Sequence, residues 1–143
     1  MAESPINILL VEDDDGDAKA IRRAFVRYGA ANPVVRARDG VEALDILRGP
    51  AANQPEAPFI LLLDINMPRM SGHELLAELR KDPRLRQLVV FVLTTSEDAG
   101  DVARAYGQNV AGYILKKNAG SQCENLIRAV REYWQVVALP TVQ

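Results

Sequence analysis

Five short segments of the chain are almost wholly apolar, and each stops abruptly at a polar residue. They are residues 6–11, 34–35, 59–63, 89–93 and 111–115, followed by Glu12, Arg36, Asp64, Thr94 and Lys116. Runs this short, without a regular polar break, fit strands buried on both faces of a sheet. Between them the apolar positions change to helical spacing. Ala18, Ile21, Phe25 and Tyr28 predict a first helix, with Gly29 as its stop. Val41, Leu44, Ile46 and Leu47 predict a second, capped by Asp39 and ended by Gly49 and Pro50. Ser71 with Glu74 reads as a capping box opening a third helix, which buries Leu75, Leu76 and Leu79 and ends at Asp82-Pro83. A short helix is expected over 101–106. Ser121 with Glu124 reads as a second capping box, before a last helix carrying Leu126, Ile127, Val130 and Trp134.

Strands alternating with helices predict an α/β fold with a five-stranded parallel sheet and helices on both faces. Residues 51–58, with two prolines and little pattern, read as a surface loop. At 143 residues the chain is most simply one domain, and 48% apolar residues suffice for a core. A net charge of −2, with scattered basic residues, argues against a nucleic-acid grip by bulk electrostatics. No apolar run approaches membrane-spanning length, and residues 1–5 do not open a signal peptide. The single cysteine, Cys123, cannot close an intrachain disulfide. A cytoplasmic protein is expected.

The residues that stop the strands carry the candidate chemistry. In a parallel sheet the C-terminal ends share one edge, where ligands of open α/β sheets bind. Glu12, Asp13, Asp64, Thr94 and Lys116 therefore converge. Clustered carboxylates repel unless a cation joins them, and a hard cation with oxygen ligands, most simply Mg²⁺, removes that repulsion. Asp64 can serve as a carboxylate nucleophile, giving an aspartyl phosphate. Lys116 and Thr94 suit the phosphoryl oxygens. Each piece has a plainer reading. A run such as 12–15, four acids long, is often a solvated face or a helix start. Asp64 or Thr94 can simply end a strand, and Lys116 can be solvated.

The strings ILLVEDD, LLLDINMP followed by MSG, VLTTS and GYILK together resemble the receiver domain of two-component response regulators, over roughly residues 6–131. The resemblance implies a doubly wound, flavodoxin-like fold with strand order 2-1-3-4-5. It implies that Asp64 is the phosphoacceptor, and that Glu12 and Asp13 position Mg²⁺ with Asp64 and the backbone carbonyl of Asn66. It implies that Thr94 is the switch hydroxyl, Tyr113 the aromatic residue that turns with it, and Lys116 the phosphoryl-binding lysine. The implied partner is a sensor histidine kinase. A one-residue slip would exchange Thr94 for Thr95. Thr94 is favoured because it follows Leu93 directly and keeps the family spacing to Tyr113. One departure stands out: Lys117 replaces the usual proline.

After Trp134 the chain continues with Gln135, Val136, Val137, Ala138, Leu139 and Pro140. An exposed apolar tail must cover its own core or pair with another chain. The ending, the long loop before the third strand and the missing proline are similar to the stand-alone response regulators of phytochrome-type kinases. That likeness implies a bacteriophytochrome-type kinase partner and a homodimer. Residues 132–143 would be the arm, with Tyr133, Trp134, Val136, Val137 and Leu139 at the interface.

His73 follows Gly72 at a helix start and is expected to be solvated. Cys123, Met67 and Met70 are expected to pack. Enzymes working through an aspartyl phosphate commonly need a general acid two residues after the nucleophile, and Asn66 cannot be one. A signalling module is therefore expected rather than an enzyme, the remaining rival being a binding module with a vestigial site. Neither GxxxxGK nor GxGxxG occurs, which argues against nucleotide binding.

Overall fold

The computed structural model describes residues 5–28 and 32–140. Gly29, the expected stop of the first helix, and the last three residues of the expected arm lie outside them. Among the described residues the order is β1 (Ile8–Val11), α1 (Asp15–Arg27), β2 (Val35–Ala37), α2 (Gly40–Arg48), β3 (Ile60–Leu63), α3 (Gly72–Lys81), β4 (Val89–Thr94), α4 (Ala99–Gly107), β5 (Gly112–Leu115) and α5 (Glu124–Val136). The strands form one parallel sheet in the order β2-β1-β3-β4-β5. This is the flavodoxin-like arrangement expected from the sequence.

Alternation along each strand sorts the core into two layers. Leu9, Val11, Leu61, Leu63, Val90 and Val92 face α2, α3 and α4, meeting Leu44, Leu47, Leu75, Leu76, Leu79 and Ala105. Ile8, Leu10, Ile60, Leu62, Phe91 and Leu93 face α1 and α5, meeting Ile21, Phe25, Leu126, Ile127 and Val130. β1 and β3 are the central strands and are wholly buried, which is why they read as unbroken apolar runs. Met67 and Met70 pack against the first layer, and Cys123 against the second, as expected.

The helix starts follow local chemistry. Asp14 caps α1 by accepting from the Asp17 N–H, Asp39 caps α2, and Ser71 and Glu74 form the expected capping box on α3. α4 begins earlier than expected, because Asp98 caps it through the Asp101 N–H. The second expected capping box does not form. Cys123, with φ 60°, is the N-cap and offers no side-chain bond, and Glu124 is the first helical residue. The Ala119 carbonyl instead accepts from the N–H groups of Asn125 and Leu126, while the Glu124 carboxylate accepts from the Gln122 N–H. The left-handed turn at Cys123 displaces the helix start past Ser121.

α5 continues through Val136, so the first residues of the expected arm are helical. Tyr133, Trp134 and Leu139 are half-buried on the second core layer, and Tyr133 meets Phe91 edge-on with ring centroids 4.9 Å apart. Val136 and Val137 remain exposed, at 81% and 39%.

Candidate functional site

The edge formed by the C-terminal ends of the strands carries the charged constellation. Asp64 is held at its root by its N–H donating to the Val11 carbonyl at 3.0 Å. Glu12, one residue past β1, is fixed by its N–H to Ala37 and by Arg36, whose guanidinium donates twice to the Glu12 carbonyl. Carboxylate oxygens of Glu12, Asp13 and Asp64 lie within 4.8 Å of one another. Glu12 and Asp64 are buried, and Asp13 is exposed. Hard oxygen donors gathered this closely fit Mg²⁺ or Mn²⁺.

Lys116 reaches into this cluster from the end of β5. Its ammonium has three donors and three carboxylate partners: Glu12 at 2.6 Å, Asp17 at 2.8 Å and Asp64 at 3.3 Å. Burial pushes the Glu12 carboxyl up against the pull of Lys116, to about 7, and the nearby charge of Asp64 adds to the rise. Burial disfavours the charge on Lys116. Hydrogen bonds to Asp17 and Glu12, with the charges of Asp64 and Glu12, overrule it and hold the ammonium above its usual value.

The four consecutive acids thus divide their work. Glu12 and Asp13 face the site, Asp14 caps α1, and Asp15 pairs with Arg36. Asp17 joins the site as a third carboxylate partner of Lys116 that no motif in the sequence marks. Its signal was its place in the first turn of α1, three residues after the Asp14 cap, where its side chain reaches back to the sheet edge.

Thr94 ends β4 fully buried, whereas Thr95 is exposed. The Thr94 hydroxyl accepts from the Ser96 N–H at 3.3 Å. The Tyr113 hydroxyl donates to the Ser96 carbonyl at 2.9 Å, so the loop after β4 stands between the two. Burial pushes the Tyr113 phenol up. Asn66 is exposed, and its backbone N–H donates to Asp64 Oδ1 at 3.3 Å. Gly72 is required beside the site: a Cβ there would lie 2.5 Å from the Asp64 carbonyl oxygen and 2.7 Å from the Ile65 Cα.

His73 is not solvated; it is buried, because the first turn of α4 packs over it, and its Nε2 meets Asp101 Oδ1 at 3.0 Å. Lys117, at the usual proline position, joins a short 3₁₀ turn over Lys116–Asn118 and pairs with Glu97 across the mouth of the site. Among the described residues the one cis peptide is Ala57–Pro58, so the bond after Lys116 is trans.

This sheet edge joins an acidic cluster to a half-buried lysine, an arrangement that suits a phosphoacceptor signalling module. The response regulator receiver domain model matches residues 8–130, and the chain belongs to that family of two-component signalling proteins. It is 39% identical over 133 residues to the probable methanogenesis regulatory protein FilR2 of Methanothrix harundinacea, covering 93% of this chain and 86% of that one. Among solved structures, the phosphorylated cyanobacterial phytochrome response regulator RcpA superposes with a TM-score of 0.81 at 36% identity, covering 96% of this chain and 99% of that one. The Mn²⁺-bound form of response regulator Rcp1, a protein of Synechocystis sp., gives 0.78 at 31% identity, covering 93% and 97%. A receiver domain implies a sensor histidine kinase as partner. Among the described residues no helix is long and apolar enough to cross a membrane.

Proposed function

We propose that Asp64 accepts a phosphoryl group from the phosphohistidine of a sensor kinase of the phytochrome type. The resulting change in the loop after β4 would then be the signal. The observation that carries this reading is the meeting of Lys116 with Glu12, Asp17 and Asp64 at the sheet edge, with Asp13 beside them. Glu12, Asp13, Asp64 and the Asn66 carbonyl would hold Mg²⁺, which when bound offsets the repulsion between the carboxylates and the phosphoryl oxygens. Asp64 supplies the nucleophilic oxygen. Lys116, held charged, gives up a carboxylate contact to bind a phosphoryl oxygen. Thr94 turns its hydroxyl toward the new dianion, Tyr113 follows, and the loop between them repacks. The reading includes a cytoplasmic location, where a kinase draws its phosphoryl group from ATP.

The RcpA and Rcp1 neighbours support the phytochrome-type kinase. The reading also includes a homodimer through the end of α5 and the segment after it, supported by the exposed Val136 and Val137 beside the half-buried Trp134 and Leu139. A second reading, a receiver serving a kinase that does not sense light, is favoured by the higher identity to FilR2. Phosphotransfer from labelled kinases separates them. The first reading expects label to pass from a phytochrome-type kinase to the wild type and not to Asp64→Asn. Transfer only from a kinase without a photosensor supports the second.

A further inference from the structure

We propose that His73, acting through Asp101 and Ser96, is a positioning residue that latches α4 and the loop after β4 in the resting arrangement, so that the latch opposes phosphoryl uptake. The inference rests on the receiver reading above and adds to it a set of contacts outside the acidic cluster.

The contacts form a continuous chain. His73 is the second residue of α3, and the first turn of α3 is pinned to the phosphoacceptor loop. The Gly72 N–H donates to the Ile65 carbonyl at 2.8 Å, with no Cβ to separate the helix from the Asp64 backbone. His73 Nε2 lies 3.0 Å from Asp101 Oδ1, joining α3 to the first turn of α4. The other Asp101 oxygen accepts from the Ser96 hydroxyl at 2.6 Å. The hydrogen bonds from Ser96, then His73, hold the Asp101 carboxyl below the usual range. Ser96 is also the residue whose carbonyl accepts from Tyr113 and whose N–H meets the Thr94 hydroxyl. The loop that must move when Thr94 and Tyr113 turn is therefore tied, by one carboxylate and one imidazole, to the helix standing on Asp64.

The tie has a built-in weakness. An ionised carboxylate only accepts, so Nε2 carries the proton toward Asp101. In the neutral ring Nδ1 is then a bare acceptor, and it is buried without a partner among the described residues. A buried acceptor left unmatched is costly, which offsets part of what the Asp101 contact contributes. The resting arrangement is held, but not tightly. A contact present in one of two arrangements biases the equilibrium between them, and a ligand of the other arrangement then binds more weakly by the same factor.

The test is calorimetric titration of Mg²⁺ and beryllofluoride, an analogue of the aspartyl phosphoryl group, into the wild type, His73→Leu, His73→Gln and Ser96→Ala. The latch predicts tighter binding by roughly fivefold or more in His73→Leu, the lower end of usual coupling between sites. Ser96→Ala, which touches no core position, shifts the same way by less. His73→Gln, whose amide can donate to Asp101, returns toward wild type. Loss of fold in His73→Leu leaves Ser96→Ala to decide. Unchanged or weaker binding in folded His73→Leu or in Ser96→Ala overturns the latch alone, because a merely structural role lowers stability without raising affinity. Failure of the wild type to bind the analogue overturns the receiver reading and the latch with it.

Discussion

Lys116 Nζ donates to Glu12 Oε1 at 2.6 Å, joining the ends of β5 and β1 across 104 positions of sequence. The pair sits almost out of water, with side-chain exposures of 17% and 1%. Each partner answers a cost the other carries. Burial would drive Glu12 neutral, and the ammonium restrains it. Burial would also discharge Lys116, and three carboxylates forbid that.

Replacing Lys116 with Met removes the cation and leaves its partners. Stripping one member from a buried pair costs about 3–5 kcal/mol. Here the loss falls below that range, because Glu12 already titrates near 7 and can take up a proton. Urea denaturation at neutral pH should show a destabilised but cooperative fold. Phosphoryl incorporation at Asp64 should fall by at least tenfold. A variant as stable and as readily phosphorylated as wild type would contradict the assignment of Lys116.

Gly72→Ala should disturb the site from behind. The added Cβ meets backbone atoms of Asp64 and Ile65, which cannot rotate away as a side chain would. Overpacking of this kind costs about 1–3 kcal/mol. Thermal melting should fall by several degrees, and phosphoryl uptake should fall as well, because the Asp64 loop is what must shift. An unchanged melting temperature would show that α3 moves off freely.

Asp39 caps α2 and takes a two-point contact from Arg69, with Nε to Oδ2 at 2.8 Å and the terminal nitrogen to Oδ1 at 3.0 Å. The Arg69 hydrogen bonds hold its carboxyl below the usual 3.8. The group therefore binds its proton less readily folded than unfolded. Its contribution to stability is complete above the unfolded value near 3.8 and is lost as pH falls from there through the folded value. Acid titration of the melting temperature should show a shallower decline below pH 4 in Arg69→Ala than in wild type. Parallel curves would show that Arg69 does not set this step.

Val136 and Val137 project from the end of α5, so replacing both with Asp leaves the core intact. Light scattering should give a dimer mass for the wild type and a monomer mass for the double variant, with nearly equal melting temperatures. A monomeric wild type at micromolar concentration would remove the dimer from the account.

The parts of the site legible in the sequence share one cause. Asp64, Thr94 and Lys116 each follow directly on an apolar strand run, and parallel strands place those ends side by side. Asp17 and His73 were missed for the opposite reason. Their partners, Lys116 and Asp101, stand 99 and 28 positions away, and the local pattern marks only Asp17, by its place in the first turn of α1. β2 was expected one residue early and too short, because Arg36 interrupts its apolar pattern; the side chain turns back to hold the Glu12 carbonyl. At α5 the Ser121–Glu124 spacing promised a cap that the left-handed backbone of Cys123 overrode. Backbone conformation of that kind is not written in the identity of a non-glycine residue.

The central claim is that Asp64 takes the phosphoryl group. Intact-mass measurement after incubation with Mg²⁺ and a small phosphodonor tests it most directly, with Asp64→Asn alongside. The account predicts one added phosphoryl group on the wild type and none on the variant. Addition to both would place the acceptor elsewhere and contradict the account, as would a wild type that stays unmodified by the phosphodonor and by a partner kinase.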